Sequence, residues 1–253
     1  MSQNGHVSIE KQNGIAKITF FHPKKNSLPG NLLSELASGV TELGNDDAVS
    51  VVILQSEGDG PFCAGASFDE LLAIENPAQG KAFFMGFARL ILAMKDCPKF
   101  VIVRVQGKAV GGGVGVASAG DYTLATDNAS VKLSELALGI GPFVVGPAVK
   151  RKIGTGPYNA LSIDTNWRDA AWAKNHGLFA EIYPNIAELD MAIDSLTGKL
   201  AKSSPEAMKK LKAAFWDGTG HWNALLEARA EMSGNLILSD FSSNAIAAFK
   251  KGR

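Results

Sequence analysis

Apolar positions along this chain switch between a period of two and a period near 3.6, and the switching lays out alternating strands and helices. Val7 to Glu10 and Ile15 to Phe20 alternate around Asn13-Gly14, a pair that tolerates positive φ and therefore predicts a hairpin. A helix follows from about Asn31 to Leu43, before a strand over Val49 to Gln55. Between Ala78 and Lys95 the apolar residues Phe83, Phe84, Phe87, Leu90, Ile91 and Met94 recur at helical spacing. That helix stops ahead of Pro98, and Phe100 to Val105 reads as the next strand. These are β-β-α units. From about Ser203 the strands cease, and Pro205 to Trp216 and Trp222 to Lys250 read as helices. The expected class is α/β, with a core over residues 1–200 and a helical region over 201–253.

Composition narrows the function without naming it. At 253 residues the chain is long enough to bury a full core. Lys+Arg and Asp+Glu both total 25, so no basic field argues for nucleic acid. Cys63 and Cys97 are too few for a disulfide framework, and Met1 to Glu10 lacks the basic-then-apolar order of a signal peptide. A cytoplasmic location is expected. The longest uncharged apolar run, Ala137 to Val149, is shorter than the roughly 18 residues of a spanning helix and is interrupted by glycine and proline, so no membrane partner is expected. His6, His22, His176 and His221 show no metal-ligand spacing, and no metal is expected.

Two glycine-rich turns carry the chemistry. Phe62-Cys63-Ala64-Gly65-Ala66-Ser67 and Gln106-Gly107-Lys108-Ala109-Val110-Gly111-Gly112-Gly113 each follow an apolar strand. Turns poor in side chains leave backbone N–H groups free to converge on one oxygen as an oxyanion hole. A glycine run alone is more often a device for close packing, but the companion turn at Gly65 reverses that preference. Gly112 opens a predicted helix to about Ala119, whose dipole adds to the effect. A lone carboxylate follows: Glu135, flanked by Leu133, Leu136 and Leu138, sits where desolvation raises a pKa toward a useful range. A dinucleotide-binding reading fails, because G-x-G-x-x-G begun at Gly113 ends on Ser118, and a nucleophile elbow at Ser118 lacks its first glycine.

In order and spacing these segments resemble the crotonase superfamily, the enoyl-CoA hydratase/isomerase family. His22-Pro23-Lys24-Lys25-Asn26-Ser27-Leu28 looks like its early coenzyme A loop, and the two turns look like its oxyanion segments. Ser134 to Gly139 matches the segment with a catalytic glutamate, and Asn244 to Phe249 resembles the C-terminal helix. The resemblance implies a spiral of β-β-α turns whose C-terminal helices assemble a homotrimer or a dimer of trimers. It implies a coenzyme A thioester as substrate, with no separate cofactor. Glu135 becomes the acid/base, the amides of Ala66 and Gly112 the oxyanion hole, and Lys24, Lys25, Ser27, Ala64 and Ala66 the coenzyme A contacts.

The departures bear on which reaction is catalysed. Hydratases of the family use two glutamates, and the place of the first is Gly115 here. One glutamate suffices for a Δ3,Δ2-enoyl-CoA isomerase, and Gly139-Ile140-Gly141-Pro142-Phe143 is closer to the Pro-Phe segment of the isomerases. Isomerase is therefore the lead expectation. A hydratase with another second group, a decarboxylase-type lyase, or an inactive acyl-CoA-binding relative are the alternatives. Dienoyl-CoA isomerases and hydroxyacyl-CoA hydrolases carry an aspartate where this chain has Phe143. Ser67 stands where many relatives have aspartate, and Asp69 replaces a lysine for a coenzyme A phosphate. Lys24 and Lys25, with Lys250 and Lys251, are candidates to restore that charge. Lys108 is assigned no role. Parts of Phe83 to Leu90 and Pro142 to Val145 are expected to wall the acyl pocket.

Overall fold

The computed structural model describes residues 5–251, and for 249–251 the backbone alone. β1 (His6–Gln12) and β2 (Ile15–Phe21) form the predicted antiparallel hairpin, with Gln12 opposite Ile15. Asn13 and Gly14 at its tip both take positive φ, 52° and 78°. α1 (Gly30–Gly44) leads to β3 (Val51–Ser56), and α2 (Phe68–Leu72) and α3 (Pro77–Asp96) lead to β4 (Phe100–Val105). A two-residue β5 (Ala109–Val110) and α4 (Gly112–Ala119) precede β6 (Tyr122–Thr126) and β7 (Ser130–Lys132). After a 3-10 turn over Leu136–Leu138 come α5 (Gly146–Ile153), α6 (Thr155–Ile163), β8 (Arg168–Asp169), α7 (Ala170–Asn175) and β9 (Glu181–Tyr183). Four helices run on from there: α8 (Ile186–Leu200), α9 (Pro205–Phe215), α10 (Trp222–Leu236) and α11 (Asp240–Lys251).

The strands form a main sheet in the order β1-β2-β3-β4-β6-β9, parallel from β2 onward, and a small sheet in the order β5-β7-β8. Parallel bridges from Leu28 to Ala66 and from Cys63 to Ala109 extend the small sheet. Successive turns of the chain thus leave a long strand in the main sheet and then a short extended piece in the small one, which is the spiral expected. The apolar runs of β3 and β4 are continuous because both of their faces are covered. Val52, Leu54, Val101, Val103 and Val105 join the core formed with α1, α3 and α4. Their alternates Val51, Ile53, Phe100 and Ile102 pack with Leu189 and Ile193 of α8 and Met208 of α9.

One expectation is corrected. The single helix from Trp222 to Lys250 is broken between Leu236 and Asp240, because serine hydroxyls compete with the backbone for hydrogen bonds there. The Ser242 amide donates to Ser239 Oγ at 3.3 Å, and Ser242 Oγ donates to the Leu236 carbonyl at 2.9 Å. The break turns α11 back, so that Ile246 packs with Leu71 and Ile140 near the 3-10 turn. Lys250 and Lys251, weighed as phosphate contacts, lie outside the described side chains.

A buried ion pair bolts α9 to the main sheet. Lys212, its side chain 2% exposed, places Nζ 2.8 Å from Asp121 Oδ2 and donates to the carbonyls of Met94 and Lys99. Asp121 also accepts from the Val101 amide and from Trp216 Nε1. Lys152 donates to the Gly120 and Asp121 carbonyls, and burial pushes its amine down to about 8. Removing one member of such a buried pair strands the other charge at a cost of about 3–5 kcal/mol. Lys212→Met is expected to lose stability on that scale in urea unfolding, whereas removing the exposed Lys210–Glu206 pair by Lys210→Ala is expected to cost under about 1 kcal/mol.

Candidate active site

The loops that leave β2, β3, β4 and β6 at their C-terminal ends gather around one cleft of about 750 Å³, the usual place for a ligand in an open parallel sheet. Its lining includes Ala64, Gly65 and Ala66 from the first turn, Val110, Gly111 and Gly112 from the second, and Glu135 after β7. The two turns are stitched together by backbone bonds, Cys63 N to Lys108 O at 3.1 Å and Val110 N to Cys63 O at 2.9 Å. A Cβ built on Gly65 would sit 3.1 Å from the Val110 carbonyl oxygen and 4.0 Å from the Gly112 nitrogen. A side chain at position 65 would be strained by its φ of 91° and would press the Val110 carbonyl back by a few tenths of an ångström. Gly111 has φ 52° and ψ −112°, a conformation open to glycine, and it aims the start of α4 at the cleft.

The amides of Ala66 and Gly112 have no protein acceptor among the described residues. Gly112 is the first residue of α4, where no intrahelical partner exists for its N–H. Space above it is taken by Phe87, whose ring would lie 2.2 Å from a Cβ at position 112. Two free donors directed at one cleft are the kind of group that stabilises a developing oxyanion.

Glu135 is held by its own backbone, whose carbonyl accepts from the Leu138 and Ile140 amides at 3.0 and 3.1 Å. Its carboxyl lies against Gly111, with Oε1 3.0 Å from the position of a Cβ there. The residue as a whole keeps some exposure, but Oε2 is buried and has no hydrogen-bond partner. It is the carboxyl group itself that has lost water. This desolvation pushes the acid up to about 7, against the smaller downward pull of the Glu135 and Ser134 amides. Among the described residues lining the cleft, Glu135 is the one carboxylate. The place of a second is physically closed: a Cβ at Gly115 would lie 2.4 Å from Val145 Cγ1.

The expected coenzyme A contacts separate into two groups. Lys25, Ala64 and Ala66 line the cleft, whereas Lys24 and Ser27 do not. Ser27 is buried, with its Oγ 3.0 Å from His22 Nδ1. Burial lowers the pKa of His22, consistent with a neutral ring whose Nδ1 accepts from the Lys24 amide. Lys24 reaches outward to an ion pair with Asp69. The residue that replaces the family lysine is thus matched with a lysine from the facing loop. Ser67, in place of aspartate, caps α2 by accepting from the Glu70 amide. Phe83, Phe84, Phe87 and Pro142 to Val145 wall the cleft as expected. Sequence reasoning missed Lys132 and Trp167, which also line it; Lys132 ends the three-residue β7 and Trp167 directly precedes the two-residue β8, both too short to show a period. Ser118 is fully buried in α4, out of reach of a substrate.

Fold and cleft together define a spiral α/β protein in which two acceptorless amides and one desolvated carboxyl share a single cleft. The chain belongs to the enoyl-CoA hydratase/isomerase family, whose model matches residues 10–252. It is 28% identical over 251 residues to the short-chain-enoyl-CoA hydratase of Clostridium acetobutylicum, covering 98% of this chain and 95% of that protein. It is 30% identical over 217 residues to the crotonyl-CoA hydratase of Syntrophomonas wolfei, covering 84% of this chain and 82% of that protein. The crystal structure of enoyl-CoA hydratase from Bacillus halodurans superposes with a TM-score of 0.89 at 22% identity, over 96% of this chain and 99% of that one. The names of these relatives do not support the isomerase expectation; the hydratase alternative fits them better.

A buried carboxyl that titrates near 7 rather than 4.5 makes the folded state bind a proton that the unfolded chain releases. Stability contributed by protonated Glu135 is therefore present below about pH 4.5 and lost as pH rises through about 7. Glu135→Gln, which cannot ionise, is expected to gain stability relative to the parent across that window and to hold a constant advantage above it. Urea unfolding of both proteins at pH 4.5, 6, 7 and 8 measures the difference, and a flat difference would contradict the desolvated site.

Proposed function

We propose that the protein hydrates 2-enoyl-CoA thioesters, with Glu135 as its acid/base. The observation that carries this reading is the desolvated carboxyl of Glu135, its Oε2 without a hydrogen-bond partner, set beside two amides that lack acceptors; the hydratase names of the relatives support it. The amides of Ala66 and Gly112 donate to the thioester oxygen and draw electrons from the double bond. Ionised Glu135 takes a proton from water as the water oxygen bonds to C3. The π electrons move onto the thioester oxygen as an enolate, and Glu135 returns a proton to C2 as the carbonyl re-forms. One carboxylate thus serves both proton transfers, and a pKa of about 7 suits both directions.

One observation favours a second reading, migration of a double bond from C3 to C2. Val145 fills the place where a second carboxylate would stand at Gly115, and migration needs one carboxylate to carry a proton from C2 to C4. Lys25 at the cleft is a coenzyme A contact in either reading. We infer a homotrimer on the family pattern, supported by the exposed apolar side chains Met232, Leu236 and Phe241 of the last two helices.

Crotonyl-CoA and 3-hexenoyl-CoA given separately to the parent and to Glu135→Gln test these readings. Hydration of crotonyl-CoA that falls about 100- to 10,000-fold in the variant is expected. Its kcat/KM is expected to rise with pH through about 7, since the free enzyme must present the carboxylate. Migration of the 3-enoyl double bond without hydration would replace the first reading by the second, and turnover that survives Glu135→Gln would defeat both.

A further inference from the structure

The cleft holds positive charge that chemistry at Glu135 does not use. Lys108 and Lys132 both stand over one indole, with Nζ 5.0 and 5.9 Å from the centre of the Trp167 ring, and all three residues line the cleft. The small sheet puts them there. Val110 pairs with Lys132, and Val131 pairs with Arg168, so Trp167 continues the register opposite Lys132. Lys108 shares the face of Val110, two residues along, while the alternating Ala109 and Val131 are fully buried. Trp167 remains 41% exposed.

Among the described residues neither lysine has an acidic partner, and the lone carboxylate of the lining is Glu135, beside Gly111. An indole face attracts an ammonium group only modestly, and two ammonium groups drawn to one ring repel each other. An anion placed between them relieves that repulsion. We propose that Lys108, Lys132 and Trp167 form a subsite for an anionic group of the thioester, and that this group is a carboxylate at the far end of a short acyl chain. The inference rests on the reading that the cleft takes acyl-CoA.

Position decides between the two anions that such a ligand carries. The Gly111 amide donates to the Lys132 carbonyl at 2.9 Å, so Lys132 is one strand, roughly 5 Å, from the oxyanion turn. The diphosphate of coenzyme A lies a whole pantetheine arm from the thioester, whereas a carboxylate on a short acyl group stays within reach of a lysine side chain. The chain between would lie against Val110, which is partly exposed on the same face.

Calorimetric titration with butyryl-CoA and glutaryl-CoA tests the subsite. The second ligand is the first with one terminal carboxylate added, and neither has a double bond to hydrate or shift, so binding is read whatever the reaction. Glutaryl-CoA is expected to bind the parent about tenfold more tightly or better, as for a hydrogen-bonded charge. The double variant Lys108→Met/Lys132→Met is expected to lose that preference with butyryl-CoA unchanged, and Lys108→Arg/Lys132→Arg to keep it. Equal weakening of both ligands in the methionine variant would assign the lysines to a coenzyme phosphate and overturn the proposal, as would equal binding of both ligands by the parent. Failure of butyryl-CoA to bind at all would instead remove the acyl-CoA reading and the subsite with it.

Discussion

The site depends on a single close approach of backbone to backbone. The pairing of Cys63 with Lys108 and Val110 draws two loops, which leave different strands of the main sheet, into one short ladder. A ladder of this kind needs only two hydrogen bonds, but it needs them where no Cβ intervenes, and the small space between Gly65, Val110 and Gly112 is what makes it possible. Both candidate oxyanion donors are defined by that contact. Ala66 lies three residues beyond Cys63, in its own bridge with Leu28, and Gly112 is the first residue of the helix after β5. The same contact fixes the small sheet, since β5 carries the register onward to β7 and β8 and so sets Lys132 and Trp167 around the cleft.

Around this ladder the protein accepts local instability. An unpartnered carboxyl oxygen in a dry position raises the free energy of the ionised fold, and two acceptorless amides forgo hydrogen bonds that a loop would ordinarily make. The surroundings hold these groups rigidly instead of satisfying them. Two amides grip the Glu135 carbonyl, Phe87 blocks the space above Gly112, and Val145 packs against Gly115. Opposed to that, the far side of the main sheet is closed by the Lys212–Asp121 pair, in which nearly every polar atom has a partner. Satisfied polar groups hold the scaffold, and of the two buried side-chain oxygens without a partner among the described residues, Ser118 Oγ lies inside α4 and Glu135 Oε2 at the cleft.

Each residue at which this chain departs from the pattern that the resemblance implies has a definite partner in the structure. Asp69 in place of a lysine is met by Lys24 from the opposite loop, and Ser67 in place of an aspartate retains the oxygen that caps α2. Gly115 in place of a carboxylate is met by Val145, so the position is not a vacancy that water fills but packed hydrocarbon. A single carboxyl facing two free amides is therefore a built arrangement, and among the described residues the cleft offers no second carboxylate beside Glu135.

Much of this was legible in the residues themselves. Long apolar strands, the Asn13-Gly14 turn and the heptad-like face of Phe83 to Met94 declare their elements through local preference and period, which need no knowledge of the rest of the chain. The glycine turns and Glu135 were legible for a similar reason, because a motif with fixed internal spacing carries its geometry with it. The break before α11 was not, since it turns on which hydroxyl finds which carbonyl. Nor were the strands β5, β7 and β8, too short to show a period and formed only because longer elements bring them side by side. What the sequence by itself determined is therefore the α/β architecture, the pair of turns and the acid. Tertiary structure alone decided that Glu135 is dry, that Ser27 turns inward, that Val145 closes Gly115, and that Lys108, Lys132 and Trp167 meet, because desolvation and contact belong to neighbours in space that lie far apart along the chain.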